Sequence, residues 1–144
     1  MEKLNPKIKK LYTSVKSHYD NKDFDKACIE LNKIISIAKK KKLSETVEWA
    51  KENHKICRIQ KIKNVILELG TRFTRLEMRE ILEKVGYYKE EFVINIIEDM
   101  ISKQEIHAEF FASTKAILFN QQANIDEIEK LMSLYNDWEL EDNT

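Results

Sequence analysis

Glycine and proline are nearly missing from this chain of 144 residues, which holds two of the first and one of the second. So few breakers leave little room for long irregular loops and favour a mostly helical protein. Long apolar runs are missing too, so neither a membrane span nor a signal-peptide core is expected. The two cysteines follow no framework spacing, which argues for a reducing, cytoplasmic compartment rather than a disulfide scaffold. There is no Gly-rich phosphate loop and no Gly-x-Ser-x-Gly elbow, so no enzyme, cofactor or small-molecule substrate is expected. What is present suits one domain or two small ones: 42% hydrophobic residues can bury a core, and 35% charged residues keep its surface wet.

The net charge of zero conceals two opposite blocks. Residues 1–63 carry 17 Lys/Arg against 8 Asp/Glu, and residues 64–144 carry 8 against 17. Solvated faces of opposite sign account for this most simply. The sharper readings are a basic front that meets an acidic partner or RNA, and head-to-tail self-association that salt would weaken.

The spacing predicts three helices in the first sixty residues. Asn5-Pro6 is an N-cap followed by a first-turn proline, and Ile8, Leu11, Tyr12, Val15 and Tyr19 form a helical stripe. A polar turn, Asp20 to Asp23, leads to a second helix bearing Phe24, Ala27, Cys28, Leu31, Ile34, Ile35 and Ala38. Lys39 to Lys42 suit its C-terminal dipole. Ser44 is placed to cap a third helix with Val47, Ala50, His54 and Cys57. No Gly or Pro interrupts it before Leu69, so it is expected to run on into the next part.

From residue 61 to 123 the hydrophobic period is first helical and then alternating. Ile62, Val65, Ile66 and Leu69 recur at helical spacing, with Gly70 as the expected left-handed C-cap. Thr74-Arg75-Leu76-Glu77 fits a capping box for a second helix with Met78, Ile81, Leu82 and Val85 inward, ended by Gly86. A third helix from about Lys89 to Lys103 presents Phe92, Val93, Ile96, Ile97, Met100 and Ile101. Ile106, Ala108 and Phe110 then share one face of a strand, Ala112 to Lys115 make a loose hairpin tip, and Ala116 to Phe119 return. Helix, helix, helix, hairpin is the winged-helix order. By alternation Phe111 and Leu118 fall on the face opposite Phe110 and Phe119, a candidate patch for a partner.

After the hairpin, Asn124-Ile125-Asp126-Glu127 reads as another capping-box start. The helix it opens, residues 124–144, aligns Ile125, Ile128, Leu131, Met132, Tyr135 and Trp138 on one face and is otherwise acidic. That stripe either packs on its own domain or joins partner chains, with Tyr135 and Trp138 as anchors.

Two resemblances follow from these words. Tyr19-Asp20-Asn21-Lys22-Asp23-Phe24-Asp25-Lys26-Ala27 resembles the turn of a tetratricopeptide repeat, in which a small residue such as Ala27 lets two helices approach closely. The run Met100 to Glu109, then Lys115 to Phe119, then the helix ending at Trp138, resembles the PCI domain of proteasome lid, signalosome and initiation-factor-three subunits. Two departures stand out: the helical part is short, and Gln104-Glu105 replaces the usual Gly. The resemblance implies a non-enzymatic scaffold that binds protein subunits of a complex through the wing sheet edge and the terminal helix. On that reading Phe111, Leu118, Ile128, Met132, Tyr135 and Trp138 are the partner-binding candidates. A winged-helix subunit of endosomal-sorting type is an alternative.

The other alternative is weak contact with RNA or DNA. Arg72, Arg75 and Arg79 are its candidate residues, with Arg75 and Arg79 read as i, i+4 neighbours and Glu80 and Glu83 as their simplest ion-pair partners. Against it, the third helix carries Glu90, Glu91, Glu98 and Asp99 beside Lys89 and Lys103, which repels phosphate. Finally, His18, Cys28, His54 and Cys57 compose a conceivable zinc set. They contain no Cys-x-x-Cys knuckle, and both cysteines sit on apolar stripes, so ordinary core residues are expected.

Overall fold

A computed structural model describes the backbone of residues 5–86 and 88–142 and the side chains up to residue 133. The protein is mostly helical with a small antiparallel sheet. It divides into two compact units, residues 1–61 and 62–144.

The first unit holds α1 (Pro6–Asp20), α2 (Phe24–Lys40) and the start of α3 (Ser44–Arg72). Asn5 caps α1 as expected, its side chain accepting from the Lys7 amide, and Asp23 caps α2 through the Lys26 amide. Ser44 is not a cap but the first helical residue; the Leu43 carbonyl takes the Val47 amide. Ile8, Val15, Ala27, Leu31, Ile34, Ala38, Ala50 and Cys57 form the core. Ala27 is fully buried, as a close helix crossing demands.

Three helices end in the same way without glycine. After α1 the Lys22 amide bonds the Tyr19 carbonyl and the Asp23 amide bonds that of His18. After α2, Lys42 and Leu43 repeat the pattern on Lys39 and Ala38. After α5 (Glu90–Ser102), Gln104 and Glu105 repeat it on Ile101 and Met100. These are Schellman caps, and each places a non-glycine residue in the left-handed region: φ is 60° at Lys22, 56° at Lys42 and 59° at Gln104.

In the second unit the end of α3 is followed by β1 (Arg75–Glu77), α4 (Met78–Val85), α5, β2 (Ala108–Phe111), β3 (Ala116–Phe119) and α6 (Gln121–Asp142). The sheet order is β1-β3-β2, all antiparallel. Its inner face joins Leu76, Ile117 and Phe119 to the buried Ile62, Ile66, Met78, Ile81, Val93, Ile97 and Met100.

Four expectations are corrected here. Gly70 does not end its helix, which continues to Arg72; Gly86 is the left-handed C-cap, at φ 97°. Thr74 to Glu77 is not a capping box. Arg75-Leu76-Glu77 is a strand, and the Thr74 carbonyl accepts from the Phe119 amide. The first amide of α4, at Met78, donates to the Lys115 carbonyl at the hairpin tip, and no side chain caps this helix. Asn124 does not start the last helix. Asn120 caps it through the Ala123 amide, and Asn124 lies buried one turn in. Last, β1 separates Arg75 from Arg79, so the two are not neighbours on one helix.

Candidate interaction surfaces

The outer face of the sheet follows from its register. Residues directly opposite share a face. Arg75, Leu118 and Glu109 therefore form one row across the three strands, and Glu77, Ala116 and Phe111 form the next. Ala116 is buried, while Phe111 and Leu118 are exposed together with Arg75 and Glu109. Two large apolar side chains thus stand on a wet face between charges. β2 is an edge strand of this sheet, and edge strands present unpaired backbone groups.

Helix α6 is held at its N-terminal end. Gln121 Nε2 donates to the Thr71 carbonyl at 2.8 Å. The Asn124 side chain accepts from the His107 amide at 2.8 Å and donates to the carbonyls of Gly70 at 3.0 Å and His107 at 3.2 Å. One buried amide therefore joins the end of α3, the approach to β2 and α6. Gly70 is required by that approach: a β-carbon there would lie 2.9 Å from Asn124 Nδ2, 3.0 Å from Ile106 Cδ1 and 3.2 Å from Phe119 Cδ1.

Beyond this anchor the described part of the stripe emerges into water. Ile125 is half-buried, but Ile128, Leu131 and Met132 are exposed, Leu131 to 59% and Met132 to 62%. Tyr135 and Trp138 lie further along α6, and their side chains are outside the described residues. Around the stripe the helix has seven acidic residues and one lysine.

The arginines do not converge on one patch of free cations. Arg72 pairs with Glu68 at 3.0 Å, and Arg79 with Glu77 at 3.8 Å, instead of the expected Glu80 and Glu83. Arg75 sits on the sheet face opposite Leu118. On α5, Lys103 is held by Asp99 at 3.0 Å, which raises its pKa.

The His/Cys set is not assembled either. His18 Nε2 lies 3.3 Å from Ser14 Oγ and 3.5 Å from Glu30 Oε1, while Ser14 donates to Glu30 at 2.8 Å. Cys28 and Cys57 are free thiols. Burial, then the neighbouring Cys28, pushes the Cys57 thiol up to about 11. Burial likewise raises Cys28, and burial and Arg58 lower His54. Among the described residues no group of three or more His, Cys, Asp or Glu is arranged to hold a metal ion. No helix among them is long and apolar enough to cross a membrane.

Compared with known proteins, the chain matches no protein-family model and no curated sequence.

Proposed function

We propose that this protein is a non-enzymatic adaptor, a PCI-like subunit that joins protein partners in a multiprotein complex of a reducing, cytoplasmic compartment. The exposed row Ile128, Leu131, Met132 on an anchored helix carries this reading. Apolar side chains at i, i+3 and i+4 are what a helix presents to a groove or bundle, and leaving them in water is costly unless a partner covers them. Phe111 and Leu118 on the sheet face offer a second, smaller contact beside the free edge of β2.

Affinity capture from native extract tests it, with Leu131→Asp and Phe111→Lys as variants and Lys130→Ala as control. The wild type and the control are expected to retain the same subunits in stoichiometric amounts, and each variant to lose some of them. Capture that neither variant alters would remove the reading.

Nucleic acid is the second reading, favoured by the basic balance of residues 1–63 and by the exposed Arg75. The acidic α5 opposes it, since binding rests on neutralising phosphates. A salt series with nonspecific RNA separates the two: binding that collapses steeply with salt and weakens in Arg75→Ala supports RNA.

A further inference from the structure

A second apolar surface lies in the first unit, and its shape and charge match α6. Between α1 and α3 runs a groove of about 380 Å³ walled by Tyr12, Tyr19, Trp49 and Ile56 and floored by Val15 and Leu31. Tyr12, Tyr19 and Ile56 are exposed. The Tyr12 and Trp49 rings, 5.2 Å between centroids, close one end of it.

We propose that this groove takes α6 of a second copy of the chain, with Ile128, Leu131 and Met132 seated between Tyr19 and Ile56. The inference rests on the reading of α6 as an interaction helix and names its partner. Two observations support it. The chemistry agrees: aromatic walls and an apolar floor receive an aliphatic stripe, the helix-in-groove mode. The charges agree: residues 1–61 hold twice as many basic as acidic side chains, and α6 holds seven acidic residues to one lysine.

Within the groove itself Lys16 and Asp20 balance each other. Attraction therefore comes from the field of the whole unit and acts on the rate of encounter, while apolar contact sets the lifetime of the complex. The interface is heterologous, groove to helix, so a pair of copies keeps one free groove and one free helix for further copies.

Complementation between two variants tests this. Ile56→Asp disables the groove, with Tyr19→Lys as a second groove variant; Leu131→Asp disables the helix. All three positions are exposed, and thermal melts confirm that each variant folds. In light scattering and sedimentation over a concentration series, the wild type is expected to self-associate. Each variant alone should associate at least tenfold more weakly. An equal mixture of Ile56→Asp and Leu131→Asp should regain a dimer, because one supplies the helix and the other the groove. Raising salt should slow association and leave dissociation nearly unchanged.

A wild type that stays monomeric at every concentration overturns the inference. So does association that survives both groove variants, a mixture that stays monomeric, or association indifferent to salt. If the wild type is monomeric and Leu131→Asp still loses subunits in the capture experiment, the adaptor reading stands without this partner.

Discussion

The side-chain amide of Asn124 lies against the backbone of Gly70, its Nδ2 donating to the Gly70 carbonyl at 3.0 Å and standing 2.9 Å from where a β-carbon would be. The pair sets how closely α6 crosses the end of α3. Removing either side has a calculable consequence.

Asn124→Ala abandons the His107 amide and the two carbonyls it serves, the Gly70 carbonyl in a buried site and the His107 groups in a part-buried one. It is expected to cost roughly 2–4 kcal/mol. Gly70→Ala crowds Asn124, Ile106 and Phe119 and is expected to cost about 1–3 kcal/mol. Because the first change vacates the space that the second needs, the double variant should be less destabilised than the sum. Urea denaturation of the four proteins reads the coupling, and strict additivity would contradict the geometry.

The glycine-free helix ends predict gains in stability. Lys22, Lys42 and Gln104 each hold a left-handed conformation that an L side chain adopts at a cost. Replacing each by Gly should add about 0.5–1 kcal/mol, the relief of strain exceeding the entropy that glycine brings to the unfolded chain. The opposite change, Gly86→Ala, has open space for its β-carbon and should lose about 1 kcal/mol through backbone conformation alone. Thermal melts of the single variants suffice.

Adjacent residues on β3 should respond oppositely to one substitution. Leu118 is 43% exposed and Ile117 is fully buried. Leu118→Lys should change stability by no more than about 0.5 kcal/mol, whereas Ile117→Lys buries an unpaired charge and should cost about 4 kcal/mol or more. Equal effects, measured by denaturant midpoint, would mean that the register of the sheet is wrong.

The thiols should be slow nucleophiles. Burial holds Cys57 protonated up to about 11 and raises Cys28 as well. Alkylation at pH 8 should be much slower than for a free cysteine and reach that rate only on unfolding. The raised folded-state value also gives a sign. The contribution of Cys57 to stability is complete below the ordinary thiol value and is lost as pH rises from there to about 11. A pH series of urea midpoints above pH 8 should fall, and Cys57→Ala should flatten the fall.

Periodicity carried most of this architecture. The helical stripes from Ile8 to Tyr19 and from Met78 to Val85, the hairpin tip at Ala112 to Lys115 and the outward placement of Phe111 and Leu118 follow from local spacing, because burial of one face is what spacing encodes. The three-residue β1 did not follow. Its polar-apolar-polar pattern, Arg75-Leu76-Glu77, is the one signal it offers, and it is too short to compete with a plausible capping box. Asn124 and Gly70 were likewise read as local punctuation. Their roles arise between residues 54 positions apart, where a hydrogen bond and a steric limit exist only after α3, β2 and α6 have met. The same holds for the candidate surfaces. Sequence determined that α6 would be amphipathic and acidic, since side-chain order on a helix is fixed by its pitch. Only tertiary structure decided that Ile125 turns inward and Ile128, Leu131 and Met132 stay in water, because exposure depends on where the Asn124 anchor lets the packing end.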